Sequence, residues 1–263
     1  MMRRVFLQAA AIGVAMTFGA MASAEPLVVG ANIGNVPWEF QDDSGAMVGF
    51  EIDLATEVGK RLGREVTIEN IPFNGLFSAV QSGRINMAMS SITITQKRLA
   101  EVSFAQPYYD SDQSLTVTAA SGLKGLADLK GKIIGVDTGS TGDMWATEHS
   151  VEYGFADIRR FEGLAPAMLD LGNGRIDGYI SDIPALQYYV KDKPEFAVVE
   201  RIPTGEQYSM MFAKDDPLAG QVSEILTALK NEGFVAATHK KWFGADPEAT
   251  TSTVKVMDMP KLN

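Results

Sequence analysis

The chain has 263 residues, no cysteine, and 33 acidic against 23 basic side chains, a formal charge of −10. Without cysteine there is no disulfide framework, no thiolate metal centre and no lipid-modified N-terminal cysteine. The negative excess leaves no electrostatic footprint for nucleic acid or an anionic membrane surface, so neither is expected as a partner.

Residues 1–24 open with Arg3 and Arg4, continue through an apolar run over 5–18, and end in Ala22-Ser23-Ala24, a small-x-small cleavage signal. This three-part layout predicts a leader removed before Glu25, export to the periplasm, and a mature charge of −12. The apolar run is too short to span a bilayer well, and no later stretch is apolar enough, so no membrane insertion is expected. About 239 residues remain, enough for one large or two modest domains.

Strand and helix patterns then alternate. Residues 27–31 read as a strand. Phe50, Leu54, Val58 and Leu62 share one face at helical spacing, and Gly63 stops that helix. A strand over 65–71, a short helix over 76–81 and a buried strand over 85–89 follow. Further strands are predicted at 132–136, 176–180 and 196–199, with helices at 141–149, 165–171 and 183–190 between them. Helices at 221–232 and 234–242 close the series. Such alternation implies βαβ units and mainly parallel sheets. Two extended runs, 113–119 and 207–213, break the rhythm and predict two α/β lobes joined by a pair of hinge strands. The predicted division is 25–113 plus 208–263 for one lobe and 114–207 for the other. The aperiodic tail after Gly244 reads as a peripheral strap or a partly mobile segment.

The residues with chemistry to offer cluster at strand ends. His149 and His239 are far apart with no metal-ligating company, and each reads as a surface or capping residue. No phosphate-cradling glycine loop and no G-x-S-x-G nucleophile motif is present, so no cofactor is expected. The buried strand at 85–89 instead delivers Ser90, Ser91 and Thr93 past its carboxyl end, where open parallel sheets bind ligands. Arg98 follows after a turn, with a planar fork suited to a carboxylate. In the middle of the chain, Asp137-Thr138-Gly139-Ser140-Thr141 leads from a strand into a helix. The free N–H groups at that helix start suit an anion, and Ser140 or Thr141 can equally be an ordinary cap. Ser181 and Asp182 end the strand before the helix that starts near Pro184. Asp182 could accept from an ammonium group, but on local grounds helix capping is the better reading.

Six motifs in order resemble the polar amino-acid-binding proteins of ABC importers, the class that includes glutamine-, histidine- and lysine/arginine/ornithine-binding proteins. They are Val36-Pro37-Trp38-Glu39-Phe40, Gly49-Phe50-Glu51-Ile52-Asp53-Leu54, Ser91-Ile92-Thr93-Ile94-Thr95 with Arg98, Phe104-Ala105-Gln106-Pro107-Tyr108-Tyr109, Leu126-Ala127-Asp128-Leu129-Lys130-Gly131-Lys132 and Lys241-Trp242-Phe243-Gly244. The resemblance covers roughly 27–244. It implies a two-lobed, type II periplasmic-binding-protein-like fold, an amino-acid ligand, an inner-membrane ABC permease as partner, and action as a monomer.

By position, the resemblance implies that Arg98 grips the ligand's α-carboxylate with Ser91, Thr93, Ser140 and Thr141. Asp182 would accept from the α-ammonium with Ser91 and Thr93 assisting, Phe73 would cover the aliphatic stem, and Ser90 is a further ligand-binding candidate. Two positions depart from the pattern: Asn35 stands where a stacking aromatic is usual, and Asn32 where an aspartate is usual. A polar side-chain pocket of Asn32, Asn35, Asp137 and Ser181 follows, favouring a ligand with hydrogen-bond donors, and Trp38 is a further candidate lining residue. The same architecture also hosts cyclohexadienyl dehydratases; Glu39 or Asp137 would have to supply the acid such chemistry needs.

Overall fold

The computed structural model describes residues 25–263; the predicted leader lies outside the described residues. The chain begins with β1 (Leu27–Ala31), a two-strand ribbon of β2 (Phe40–Gln41) and β3 (Met47–Val48), and α1 (Phe50–Leu62). β4 (Val66–Asn70), α2 (Phe73–Gln81), β5 (Met87–Ala88), α3 (Gln96–Glu101) and β6 (Val102–Phe104) complete the first pass. The middle comprises β7 (Tyr109–Thr118), β8 (Ile133–Asp137), α4 (Thr141–Tyr153), β9 (Asp157–Phe161), α5 (Leu164–Gly172), β10 (Gly178–Asp182), α6 (Ile183–Val190) and β11 (Phe196–Tyr208). β12 (Met211–Ala213), α7 (Leu218–Asn231) and α8 (Phe234–Phe243) return to the first lobe.

Two five-stranded sheets form the two lobes, ordered β4-β1-β5-β12-β6 and β11-β7-β10-β8-β9. The expectation of mainly parallel sheets holds on one side of each. β4, β1 and β5 are parallel, as are β10, β8 and β9. β12 pairs antiparallel with β5 and β6, and β7 antiparallel with β10 and β11. The antiparallel half arises because these strands pass between lobes directly, without the crossover helix that a parallel pairing needs. Tyr109 and Tyr208, where β7 begins and β11 ends, are paired with each other, so the outgoing and returning chains are hydrogen-bonded together at the crossing.

The predicted face of α1 is buried at Phe50, Leu54 and Val58, and Gly63 closes the helix at φ 67°, a left-handed turn glycine adopts without strain. At the other end Gly49 sits at φ 140°, and a side-chain carbon there would lie 2.1 Å from the Trp38 carbonyl oxygen. Only glycine allows the helix start to come this close, and the Glu51 amide consequently donates to Trp38 O at 3.0 Å. The second lobe packs Leu115, Val117, Ile134, Val136 and Ile180 into its own core. The tail proves to be a strap: Ser252 and Thr253 are buried, and the Ser252 amide donates to Asp110 beside the lobe crossing at 2.8 Å. No helix among the described residues is long and apolar enough to cross a membrane.

Candidate ligand-binding site

The carboxyl ends of β5, β8 and β10 converge where the lobes meet. Between them lies a small, partly open cavity. Its walls carry Asn32, Asn35, Phe73, Ser90, Ser91 and Thr93 from the first lobe, and Asp137, Ser140, Thr141, Leu164, Ser181 and Asp182 from the second. Eleven of the thirteen residues singled out from sequence thus line one cavity. Arg98 and Trp38 do not.

Ser91 forms the corner of the first wall. Its backbone has φ 44°, rare for a residue with a side chain, and its amide donates to Glu51 Oε1 at 2.9 Å. Its hydroxyl crosses to the other lobe, donating to Asp182 Oδ2 at 3.0 Å, while Asn35 Nδ2 donates to the same hydroxyl at 3.1 Å. Thr93 and Thr141, one from each lobe, stand 3.3 Å apart at their hydroxyls and both donate to Glu206. The lobes are closed on each other.

Arg98 lies just behind the wall. Thr95 caps α3 by accepting from the Arg98 amide at 3.1 Å, which sets the side chain toward the second lobe. The guanidinium rests 5.4 Å from the Phe73 ring centre and 5.1 Å from that of Phe77. Nη1 donates to Thr93 O at 2.7 Å and Nη2 to Gly139 O, across the cleft, at 3.2 Å; Nε is buried without a partner. Burial lowers its pKa to about 10, opposed by the charges of Glu206 and Asp182. It remains a cation at neutral pH.

Asp182 occupies the N-cap position of α6 but makes no side-chain capping bond, so the capping reading taken from local sequence does not hold. Its carboxylate is instead turned to Ser91 and to Gln113, whose Nε2 donates to Oδ1 at 2.6 Å. The same amide nitrogen donates to both oxygens of Glu206, at 3.0 and 3.1 Å. Burial, and then the charge of Glu206, raise the Asp182 pKa to about 7. Glu206 and Gln113 were missed in the sequence. Each sits within a strand whose apolar and polar residues alternate without a motif, and only the β7–β11 pairing brings them to the cleft.

Asp137, at the end of β8, accepts from the Tyr179 hydroxyl at 2.7 Å through Oδ2, while Oδ1 is buried with no partner. Burial raises its pKa to about 6. Ser140 caps α4 by accepting from the Asp143 amide at 3.0 Å, and it also lines the cavity. The capping reading therefore holds, and the capping residue also borders the cleft. Trp38 is fully buried in the first lobe, edge-on to Tyr109 at 4.7 Å and against Phe50, Tyr208 and Phe243. No group of acidic and histidine side chains among the described residues is arranged to hold a metal ion.

Two lobes closing on a small polar cleft, with an arginine fork on one side and carboxylates on the other, define a solute-binding protein of the clamping kind. Residues 27–245 match the bacterial extracellular solute-binding proteins of family 3, and the chain belongs to that family. It is 30% identical to the ABC transporter arginine-binding protein 1 of Escherichia coli strain K12, over 89% of this chain and 97% of that protein. It is 28% identical to the arginine-binding extracellular protein ArtP of Bacillus subtilis strain 168, over 86% of this chain and 89% of that one. Among solved structures, the arginine-, lysine-, histidine-binding protein ArtJ of Geobacillus stearothermophilus matches with TM-score 0.78 at 34% identity, covering 85% of this chain and 97% of that one. The fold is the type II periplasmic-binding-protein fold expected from the sequence.

Proposed function

We propose that the protein binds a polar amino acid in the periplasm and delivers it to an inner-membrane ABC permease. The observation that carries this reading is the split ownership of the cleft: Ser91 of one lobe and Asp182 of the other meet at 3.0 Å, so a ligand held by both requires closure. A ligand's α-carboxylate would take the Arg98 Nη2 bond now made to Gly139 O, together with the N–H groups at the start of α4. Its α-ammonium would lie against Asp182, with Ser91 and Thr93 assisting. The pairing of 109–111 with 206–208 would serve as the hinge, because there the outgoing and returning chains are bonded to each other next to the point where they pass between the lobes. Closure is then driven by contacts that the open state lacks, and the closed form is what a permease would recognise.

The side-chain end is expected to choose ligands with donors. Asn32, Asn35 and Ser181 make it polar, and the unpartnered Oδ1 of Asp137 seeks a donor. Asp137 and Asp182 line the cavity, and behind it Glu206 joins Asp182 against the single Arg98 guanidinium, so an amino acid with a cationic or amide side chain complements the cleft better than an acidic one. A thermal-shift screen over the proteinogenic amino acids plus ornithine and citrulline tests this. Ligand at about a thousand times its Kd should stabilise the protein by about 4 kcal/mol. A shift with arginine, lysine, histidine or glutamine supports the reading. A flat response to every amino acid rejects it.

A further inference from the structure

Behind the ligand wall lies a pair of acids that the clamp does not use. Glu39 follows Trp38 in the loop before β2, and Glu51 sits in the first turn of α1; both are fully enclosed. Their Oε1 atoms are well served. Glu39 Oε1 accepts from Ser90 Oγ at 2.6 Å and from Asn35 Nδ2 at 3.2 Å. Glu51 Oε1 accepts from the Ser91 amide at 2.9 Å and from the Tyr108 hydroxyl. Their Oε2 atoms are both buried with no donor at all. The two carboxyls lie within hydrogen-bonding reach of each other, and neither has a lysine, arginine or histidine partner.

Two ionised carboxylates cannot stand together in such a place, because each lacks solvent and a counter-charge and repels the other. Two neutral acids fit poorly as well, because four donors already converge on the Oε1 atoms and favour negative charge. One proton between the two carboxyls answers both difficulties: it supplies the donor that the Oε2 atoms lack and leaves a single charge spread over the pair. We propose that Glu39 and Glu51 share one proton, and that this buried monoanion positions the Ser90–Ser91 corner of the cleft. The pair grips Ser90 by its hydroxyl and Ser91 by its amide, and holds Ser91 in the left-handed backbone conformation that aims its hydroxyl at Asp182. Burial first, and for Glu39 the neighbouring charge of Glu51 next, raise the pKa of both acids, in keeping with a retained proton. Charged or titratable neighbours come from each packed element: Tyr108 ahead of β7, the two acids themselves, and Asp182 across the Ser91 hydroxyl. They are positioning residues, since no ligand atom need touch them.

The bearing on ligand capture rests on the amino-acid reading of the cleft, whereas both readouts below are taken without ligand, so either idea can fail alone. Infrared spectra recorded at about pH 9, where Asp137 and Asp182 are ionised, should retain a protonated-carboxyl C=O band in the wild type. That band should be missing from both Glu39→Gln and Glu51→Gln, in which an amide N–H replaces the shared proton. Absence of the band from the wild type, or its survival unchanged in both variants, overturns the shared proton. Hydrogen exchange at the Ser91 amide tests positioning. Glu51→Gln keeps an acceptor and should leave protection within about threefold, whereas Glu51→Ala should lose at least tenfold. Equal protection in Glu51→Ala and wild type refutes the positioning role, with circular dichroism confirming that each variant is folded.

Discussion

Replacing Asp182 by Asn exchanges the charge of the carboxyl for an amide of the same shape. In the folded, unliganded protein the pKa of this carboxyl rises from 3.8 to about 7, first through burial and then through the charge of Glu206. At about 1.4 kcal/mol per unit, the ionised form costs the fold about 4 kcal/mol. Because the side chain borders the cavity and keeps some contact with it, about half of that is a sounder figure. The folded value lies above the unfolded one, so the stabilising contribution is complete below about pH 4 and is lost as pH rises through about 7. Asp182→Asn should therefore melt about 4–8 °C above the wild type at about pH 8 and close to it at about pH 4. Amino-acid binding should weaken by about 2–5 kcal/mol, the loss expected when one member of a buried charge pair is removed. In the wild type, affinity should fall below about pH 7, by up to about tenfold per pH unit, because the ligand's ammonium requires the ionised form. Calorimetric melting and titration across that range are the assays. A variant that melted lower than the wild type at pH 8 would refute the energetic argument, and one that bound with unchanged affinity would remove Asp182 from the ammonium site.

Arg98→Ala should weaken binding by about 2–5 kcal/mol in titration calorimetry, and Arg98→Lys should restore little of it, because an ammonium cannot present the planar fork. Unchanged affinity in Arg98→Ala would mean that the carboxylate lies elsewhere. Asp137→Asn should shift the ligand ranking away from cationic side chains toward neutral ones in the thermal-shift screen, since it removes the charge beside the unpartnered oxygen. An unaltered ranking would show that Asp137 does not read the side chain.

Much of the fold is legible in periodicity, because burial imprints a repeat wherever one face of an element is covered. α1 and α6 follow their predicted bounds, and α8 runs one residue past its own. Among the elements that escaped, β9 and α3 did so for different reasons. β9 (DIRRF) lies at the sheet edge with mostly solvent-facing side chains, so it carries no apolar alternation. α3 has only six residues, too few to show a helical period.

By itself the sequence determined the alternating α/β pattern, the strand ends at which Ser91, Asp137 and Asp182 stand, and the polar character left by Asn32 and Asn35. Tertiary structure alone decided which way those side chains point and who joins them. It turned Asp182 from a helix cap to the cleft, packed Trp38 into the core, set Arg98 behind the wall, and brought Glu206 to Thr93 across 113 positions of chain. It also placed Glu39 beside Glu51, a pair that no spacing announces. The reason is physical. A buried apolar face recurs along an element and leaves a period, whereas a polar contact between distant segments uses one residue from each and leaves none.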